Sequence, residues 1–212
     1  VPLKPERIRE LIRREDPLIL DVGCNDGEHT QMFLDLFPYA TVYSFEPEPY
    51  AAELFRQRVT DPRARLITKA VGQVDGEVTF HQSDGRPTAQ WPGLTWHYSG
   101  STRRPKNHLR RYPWCRFERS ITVPSVRLDS LALVEMEGQI IDLIWADVQG
   151  AEADLIQGAQ RTLRSTRYFY TEYSNEEMYE GQPTLNRIKE MLPEFGVLEV
   201  FPDDVLLKNR YL

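Results

Sequence analysis

Apolar and polar positions divide the chain into alternating strand-like and helix-like segments. LILDV at 18–22 is an apolar run that passes through the polar loop GCNDG, and Glu28 to Phe37 then continues at helical spacing. TVYSFEP at 41–47 is a second strand with Glu46 at its carboxyl end; Pro49 opens the next helix and Asp61-Pro62 stops it. RLITKAVG at 65–72 reads as a third strand, and Asp75-Gly76 as a turn into the alternating segment GEVTFHQ. Alternation resumes over 121–131. IDLIWADVQGAEADLIQGAQRTL then gives a fourth buried strand, a polar turn and a helix from about Ala151 to Leu163. YFYTEYS at 168–174 is a fifth strand, Pro183 to Leu192 a helix, and GVLEVF and DVLLKNRYL two last strands around Pro202-Asp203-Asp204. A short amphipathic helix at 3–14, with Leu3, Ile8, Leu11 and Ile12 on one face, precedes them. This order predicts a single α/β domain over 1–212, with a doubly wound, mostly parallel sheet that ends in an antiparallel hairpin.

The first strand-to-helix loop carries the candidate chemistry. Gly23 permits a sharp turn, and Gly27 is expected to let a ligand approach the backbone at the helix start. In doubly wound folds an acid in the position of Glu46 reaches the two ribose hydroxyls of a nucleotide-like ligand. A dinucleotide fingerprint needs G-x-G-x-x-G so that pyrophosphate sits on bare backbone, but the second and third glycine positions here are Asn25 and Glu28. An acid at the helix start repels pyrophosphate. Asp21 and Asp26 suit instead a ligand with positive charge, such as the ammonium and sulfonium of S-adenosylmethionine. A nicotinamide-dependent oxidoreductase is therefore the weaker alternative.

Composition narrows the class. With 212 residues, 41% hydrophobic and 27% charged, the chain resembles ordinary globular domains, and no run approaches the roughly 20 apolar residues of a membrane span. The first residues lack a signal-peptide apolar core, and Cys24 and Cys115 are too few for a disulfide framework, so a reducing cytoplasm is the expected compartment. The net charge of −6 weighs against non-specific nucleic-acid binding. Its distribution is uneven. Residues 84–119 hold eight Arg or Lys against Asp84 and Glu118, together with Trp91, Trp96, Trp114, Tyr98, Tyr112 and Phe117. Prolines 87, 92, 105 and 113 break any long regular element there. Such an insertion reads as a lid over a polar acceptor with flat faces; it carries no RNA-recognition module.

The order DVGCNDG (21–27), SFEPEP (44–49), KAVG (69–72), VRLDSL (126–131), IDLIWADVQGAE (141–152), Gly158-Ala159 and a strand ending in Glu172 resembles the FkbM family of S-adenosylmethionine-dependent methyltransferases. Asp147 followed after one residue and Gln149 by Gly-Ala-Glu is the most family-specific element. The chain departs from the family at Cys24-Asn25, where Ala-Asn is usual, and at Gln149, where Glu is usual. The resemblance implies a seven-stranded, Rossmann-like class I methyltransferase fold and O-methylation, commonly of sugar hydroxyls in glycans or natural products.

The residues divide by role on this reading. Asp21 and the loop Gly23, Asn25, Asp26 and Gly27 hold the amino acid portion of the cofactor, Glu46 and Pro47 the ribose, and Ala70 and Val71 the adenine edge. Asp147, at the end of the fourth strand, is the candidate general base, with Glu172 next to it and His97 as a rival. Glu152 offsets the dipole of the following helix. Trp96, Ser99, Arg103 and Arg104 are the candidate acceptor-binding residues. Nothing in the spacing demands a metal. A methyltransferase fold that only binds or scaffolds is the non-enzymatic alternative, opposed by the nearly intact cofactor loop.

Overall fold

The run at 18–22 is continuous rather than alternating because both faces of its strand are covered. In the computed structural model, which describes residues 3–85 and 96–212, this strand is central to the molecule. Arg86, Pro87, Trp91 and Pro92 of the insertion lie outside the described residues. The elements are α1 (Pro5–Ile12), β1 (Leu18–Val22), α2 (Glu28–Leu36), β2 (Thr41–Phe45), α3 (Pro49–Arg58), β3 (Ala64–Ile67), β4 (Ala70–Val71) and β5 (Gly76–Gly85). They continue with α4 (His108–Arg111), β6 (Cys115–Val126), α5 (Leu128–Glu135), β7 (Ile141–Ala146), α6 (Glu152–Gly158) and α7 (Gln160–Arg164). The last are β8 (Thr166–Glu172), α8 (Leu185–Met191), β9 (Phe195–Val200) and β10 (Asp204–Asn209).

Seven strands form one sheet in the order β3-β2-β1-β7-β8-β10-β9, with β10 antiparallel to both neighbours and the other pairs parallel. The alternation of β1 sorts the two cores. Leu18, Leu20 and Val22 pack with Leu155, Ile156 and Ile188 of α6 and α8, whereas Ile19 faces Ile8, Phe33 and Phe55 of α1, α2 and α3. The chain winds outward from β1 to β3 and returns on the other side of β1 at β7. A crevice therefore opens beyond the carboxyl ends of β1 and β7, where ligands of such sheets bind.

Three expectations need correction. The third strand is not continuous: β3 ends at Ile67, and Ala70–Val71 pairs with Ser125–Val126 in a second sheet, β4-β6-β5. The alternation over 121–131 continues only to Val126, after which α5 begins. The helix after β7 breaks at Ala159 into α6 and α7. Just before the break, a Cβ on Gly158 would stand 1.9 Å from the Gly72 carbonyl oxygen, so a bare glycine lets α6 touch the end of β4.

The insertion connects β5 to β6 and folds back on the segment after β8. The Lys106 and His108 amides donate to the Met178 carbonyl at 2.8 and 3.2 Å, and Pro105 bridges Tyr179. Lys106 pairs with Glu177, and Arg110 with Glu176. Much of the insertion's positive charge thus meets acids of this segment. Such exposed pairs contribute little stability, but they fix which two segments face each other.

Candidate active site

The tight loop after β1 uses positive backbone φ three times, at Gly23 (82°), Asn25 (46°) and Gly27 (85°). The Gly23 and Cys24 amides donate to the Phe45 carbonyl at 2.9 and 3.0 Å, which joins the loop to the end of β2. Glu46 joins them a second time: its carboxylate accepts from the Asn25 amide at 3.0 Å and the Glu48 amide at 2.7 Å. Each oxygen keeps a free lone pair. Burial pushes this carboxyl up to about 8. The Asn25 side-chain Oδ1 is buried with no partner.

These groups face a cavity lined also by Pro47, Ala70, Val71 and Phe80, with His97 and Tyr98 of the insertion above them. A second cavity lies beside it, walled by Trp96, Tyr112 and Trp114 of the insertion and by Tyr173 and Tyr179 beyond β8. Tyr98, Asp147 and Gln149 line both. Trp96 meets Trp114 and Tyr98 edge-on at ring separations of 5.2 and 5.1 Å, giving the second cavity an aromatic wall over an acidic floor of Asp147 and Glu172.

The floor is tied together by one amide. Gln149 Nε2 donates to Asp147 Oδ1 at 2.6 Å and to Glu172 Oε2 at 3.2 Å, while Gln149 Oε1 accepts from the Tyr179 hydroxyl at 3.0 Å. Burial raises both carboxyls above their ordinary range, and the charge of Asp147 drives Glu172 further up. Glu172 therefore takes the first proton and Asp147 keeps the charge.

The expected site residues separate into those at the cavities and those beneath them. Gly23, Asn25, Glu46, Pro47, Ala70, Val71 and His97 line the first cavity; Trp96, Ser99 and Glu172 line the second. Asp21 lines neither: it lies under the loop, bonded to Thr30 Oγ1 at 2.6 Å, and burial raises it to about 7. Asp26 pairs with Arg58 at 2.7 Å, so its charge is already met by protein. The bare backbone of Gly27 serves packing rather than a ligand, since a Cβ there would come within 2.7 Å of Phe55 and Val59. Arg103 is held by both oxygens of Asp154, and Arg104 is exposed; neither lines a cavity. Glu152 is fully buried, accepting from the Gly150 amide at 3.0 Å, and is pushed up to about 7 by burial.

Sequence reasoning did not select Lys69, Phe80 and Tyr98 at the first cavity, or Tyr112, Trp114, Tyr173, Tyr179 and Gln149 at the second. Tyr112 and Trp114 carried a signal in the aromatic insertion. Tyr179 carried one only as a large ring in an otherwise polar connection.

The raised acids predict an inverse pH dependence of stability. Asp21, Glu46 and Glu152 titrate near 7 to 8 when folded and near 4 when unfolded. Between these values the unfolded chain loses its protons first, so stability is highest near pH 4 to 5 and falls toward 8. A tenfold difference in proton affinity is worth about 1.4 kcal/mol, or roughly 3 °C in a chain of this size. Melting of the ligand-free protein is expected at least several degrees lower at pH 8 than at pH 5; a melting temperature that rises over this interval contradicts the assignment.

A sheet ordered β3-β2-β1-β7-β8-β10-β9, with its penultimate position reversed and its cavity over β1 and β7, defines a Rossmann-like methyltransferase. Comparison specifies it further. Residues 21–198 match the methyltransferase FkbM domain. The chain is 45% identical over 211 residues to the 2-O-methyltransferase NoeI of Sinorhizobium fredii (strain NBRC 101917 / NGR234), covering 97% of this chain and 85% of that protein. The chain belongs to the FkbM methyltransferase family. The FkbM methyltransferase structure from Methylobacillus flagellatus KT aligns with a TM-score of 0.53 at 14% identity, over 97% of this chain and 50% of that one, so the chain spans half its length. SMU.1697c of Streptococcus mutans, solved with SAH, aligns with a TM-score of 0.50 at 11% identity, over 97% and 98% of the two chains. These two structural likenesses are likenesses of fold. Among the described residues, no helix is long and apolar enough to cross a membrane.

Proposed function

We propose that this methyltransferase uses S-adenosylmethionine to methylate a sugar hydroxyl of a glycan or glycosylated product. The observation that carries the reading is the pair of adjoining cavities whose common wall is Asp147 and Gln149. The first fits the cofactor by its donor set: spare lone pairs on Glu46 for ribose hydroxyls, the orphaned Asn25 Oδ1 for a donor, and Ala70, Val71 and Phe80 for the adenine. When bound, S-adenosylmethionine supplies an electrophilic methyl group. The second cavity fits the acceptor: ring faces pack on Trp96, Trp114 and Tyr112, and hydroxyls meet carboxylates. Asp147 orients the reacting hydroxyl and takes its proton, with Glu172 as the protonated neighbour. Residues 96–119 form the outer wall and act as the lid. The name of the S. fredii relative, a 2-O-methyltransferase, supports oxygen as the acceptor atom. The free, buried thiols of Cys24 and Cys115 suit a reducing cytoplasm.

Calorimetric titration with S-adenosylhomocysteine tests the cofactor. Micromolar binding is expected, weakened about 10- to 100-fold by Glu46→Ala, the value of one or two hydrogen bonds. No binding to a folded wild-type protein overturns the reading.

A further inference from the structure

The bond network around the floor acids says more than which acid is the base. Asp147 and Glu172 come from different strand ends, β7 and β8, and two carboxyls left to themselves there would be free to turn apart. The Gln149 amide bonds to both instead. Its backbone is unusual, with a φ of 49° that side chains other than glycine rarely adopt, and it is pinned there: Ser101 Oγ donates to the Gln149 carbonyl at 2.7 Å. Its side chain is held at the other end by Tyr179, whose buried hydroxyl shares its one hydrogen between Gln149 Oε1 at 3.0 Å and the Ser99 carbonyl at 2.9 Å. Ser99 and Ser101 belong to the insertion. A continuous set of bonds thus runs from the wall of the acceptor cavity through one amide to both carboxyls.

We propose that Gln149 is a positioning residue that holds Asp147 and Glu172 as one working pair, and that the docked insertion sets it through Ser101 and Tyr179. This rests on the assignment of Asp147 as the base. A neutral amide suits the place. Around Asp147 stand Glu172 of β8, Glu152 of α6, Asp21 of β1, Glu46 beyond β2, Asp204 of β10 with Asp203 before it, and the Tyr179 hydroxyl. Among the described residues, none of Asp147, Glu152 and Glu172 has an ion-pair partner. The amide hydrogens are what Asp147 has in place of a cation, and they lower its proton affinity against the effect of burial.

The test is a carboxyl-carbon NMR titration of the full chain labelled at Asp and Glu, with Asp147→Asn and Glu172→Gln as assignment controls. In Gln149→Met, which keeps the length but donates nothing, the Asp147 midpoint is expected to rise by about one pH unit or more. Tyr179→Phe, whose lost hydroxyl bonds to Gln149 and to neither carboxyl, is expected to move it in the same direction by a smaller amount. S-adenosylhomocysteine affinity, measured in parallel, is expected to stay within about threefold of wild type in Tyr179→Phe, whose side chain lines only the second cavity. Unchanged midpoints in two folded variants overturn the proposal. The titration needs neither cofactor nor acceptor, so absence of S-adenosylhomocysteine binding to wild type would defeat the cofactor assignment and leave this result standing.

Discussion

Asp147→Asn is expected to reduce methyl transfer by about 10²- to 10⁴-fold, the usual contribution of a positioned base, with S-adenosylhomocysteine affinity nearly unchanged. The substitution keeps the shape of the side chain and removes its ability to take a proton. The prediction singles out Asp147 because it faces both cavities, whereas Glu172 faces only the second. The two acids also differ in charge state: Glu172 feels Asp147 as a neighbouring charge and holds the proton. Activity should therefore fall on the acid side as Asp147 itself is protonated, at a pH above the ordinary carboxylate range because the group is enclosed. Glu172→Gln replaces a carboxyl that already holds its proton with a neutral amide, so the acid limb should stay close to its wild-type position while the maximal rate survives in large part. If Asp147→Asn kept a rate within tenfold of wild type with the acid limb in place, the base would have to be sought elsewhere. His97 is then the nearest alternative, on the first cavity and with its proton affinity lowered by burial.

What could be read in the sequence follows from how each residue is placed. Gly23, Glu46, Asp147 and Glu172 sit next to the ends of buried strands, and a buried strand announces itself as an apolar run; the positions just beyond it are then defined by counting. The break between β3 and β4 was hidden because Ala70–Val71 is only two residues long and takes its partner, Ser125–Val126, from far along the chain. Arg103 gave the same difficulty in another form. As a basic residue in a basic insertion it looked free to meet a ligand, and its partner Asp154 is 51 positions away on α6. Tyr179 and Gln149 gained their roles only when the insertion folded back on the segment after β8. Gly27 shows the limit of reading chemistry from a glycine: its conformation was foreseeable, and the side chains that need its missing Cβ, Phe55 and Val59, were not.

Gly23→Ala is expected to damage both stability and cofactor binding, more than any other single methyl group added to the loop. Two costs coincide at this position. Its φ of 82° lies where a Cβ costs about 1–2 kcal/mol. In addition, that Cβ would stand 1.8 Å from the carbonyl oxygen of Asp147, a backbone atom that cannot rotate away. Relief requires the ends of β1 and β7 to separate, against the bond from the Asp147 amide to the Val22 carbonyl at 2.9 Å. The site is built across that joint, with Glu46 bonded to the loop on one side and Asp147 on the other. A combined cost of about 3–5 kcal/mol is expected, about 10 °C in melting temperature for a chain of this length, together with loss of measurable S-adenosylhomocysteine binding. Gly76→Ala separates the two costs, because Gly76 also has a positive φ, 138°, yet nothing lies within 4 Å of its added Cβ. That variant should lose about 1–2 kcal/mol and bind normally. Equal melting temperatures for the two variants, or full cofactor affinity in Gly23→Ala, would show that β1 and β7 can part at this joint without disturbing the site, and the close approach of Gly23 to Asp147 would then have no part in building it.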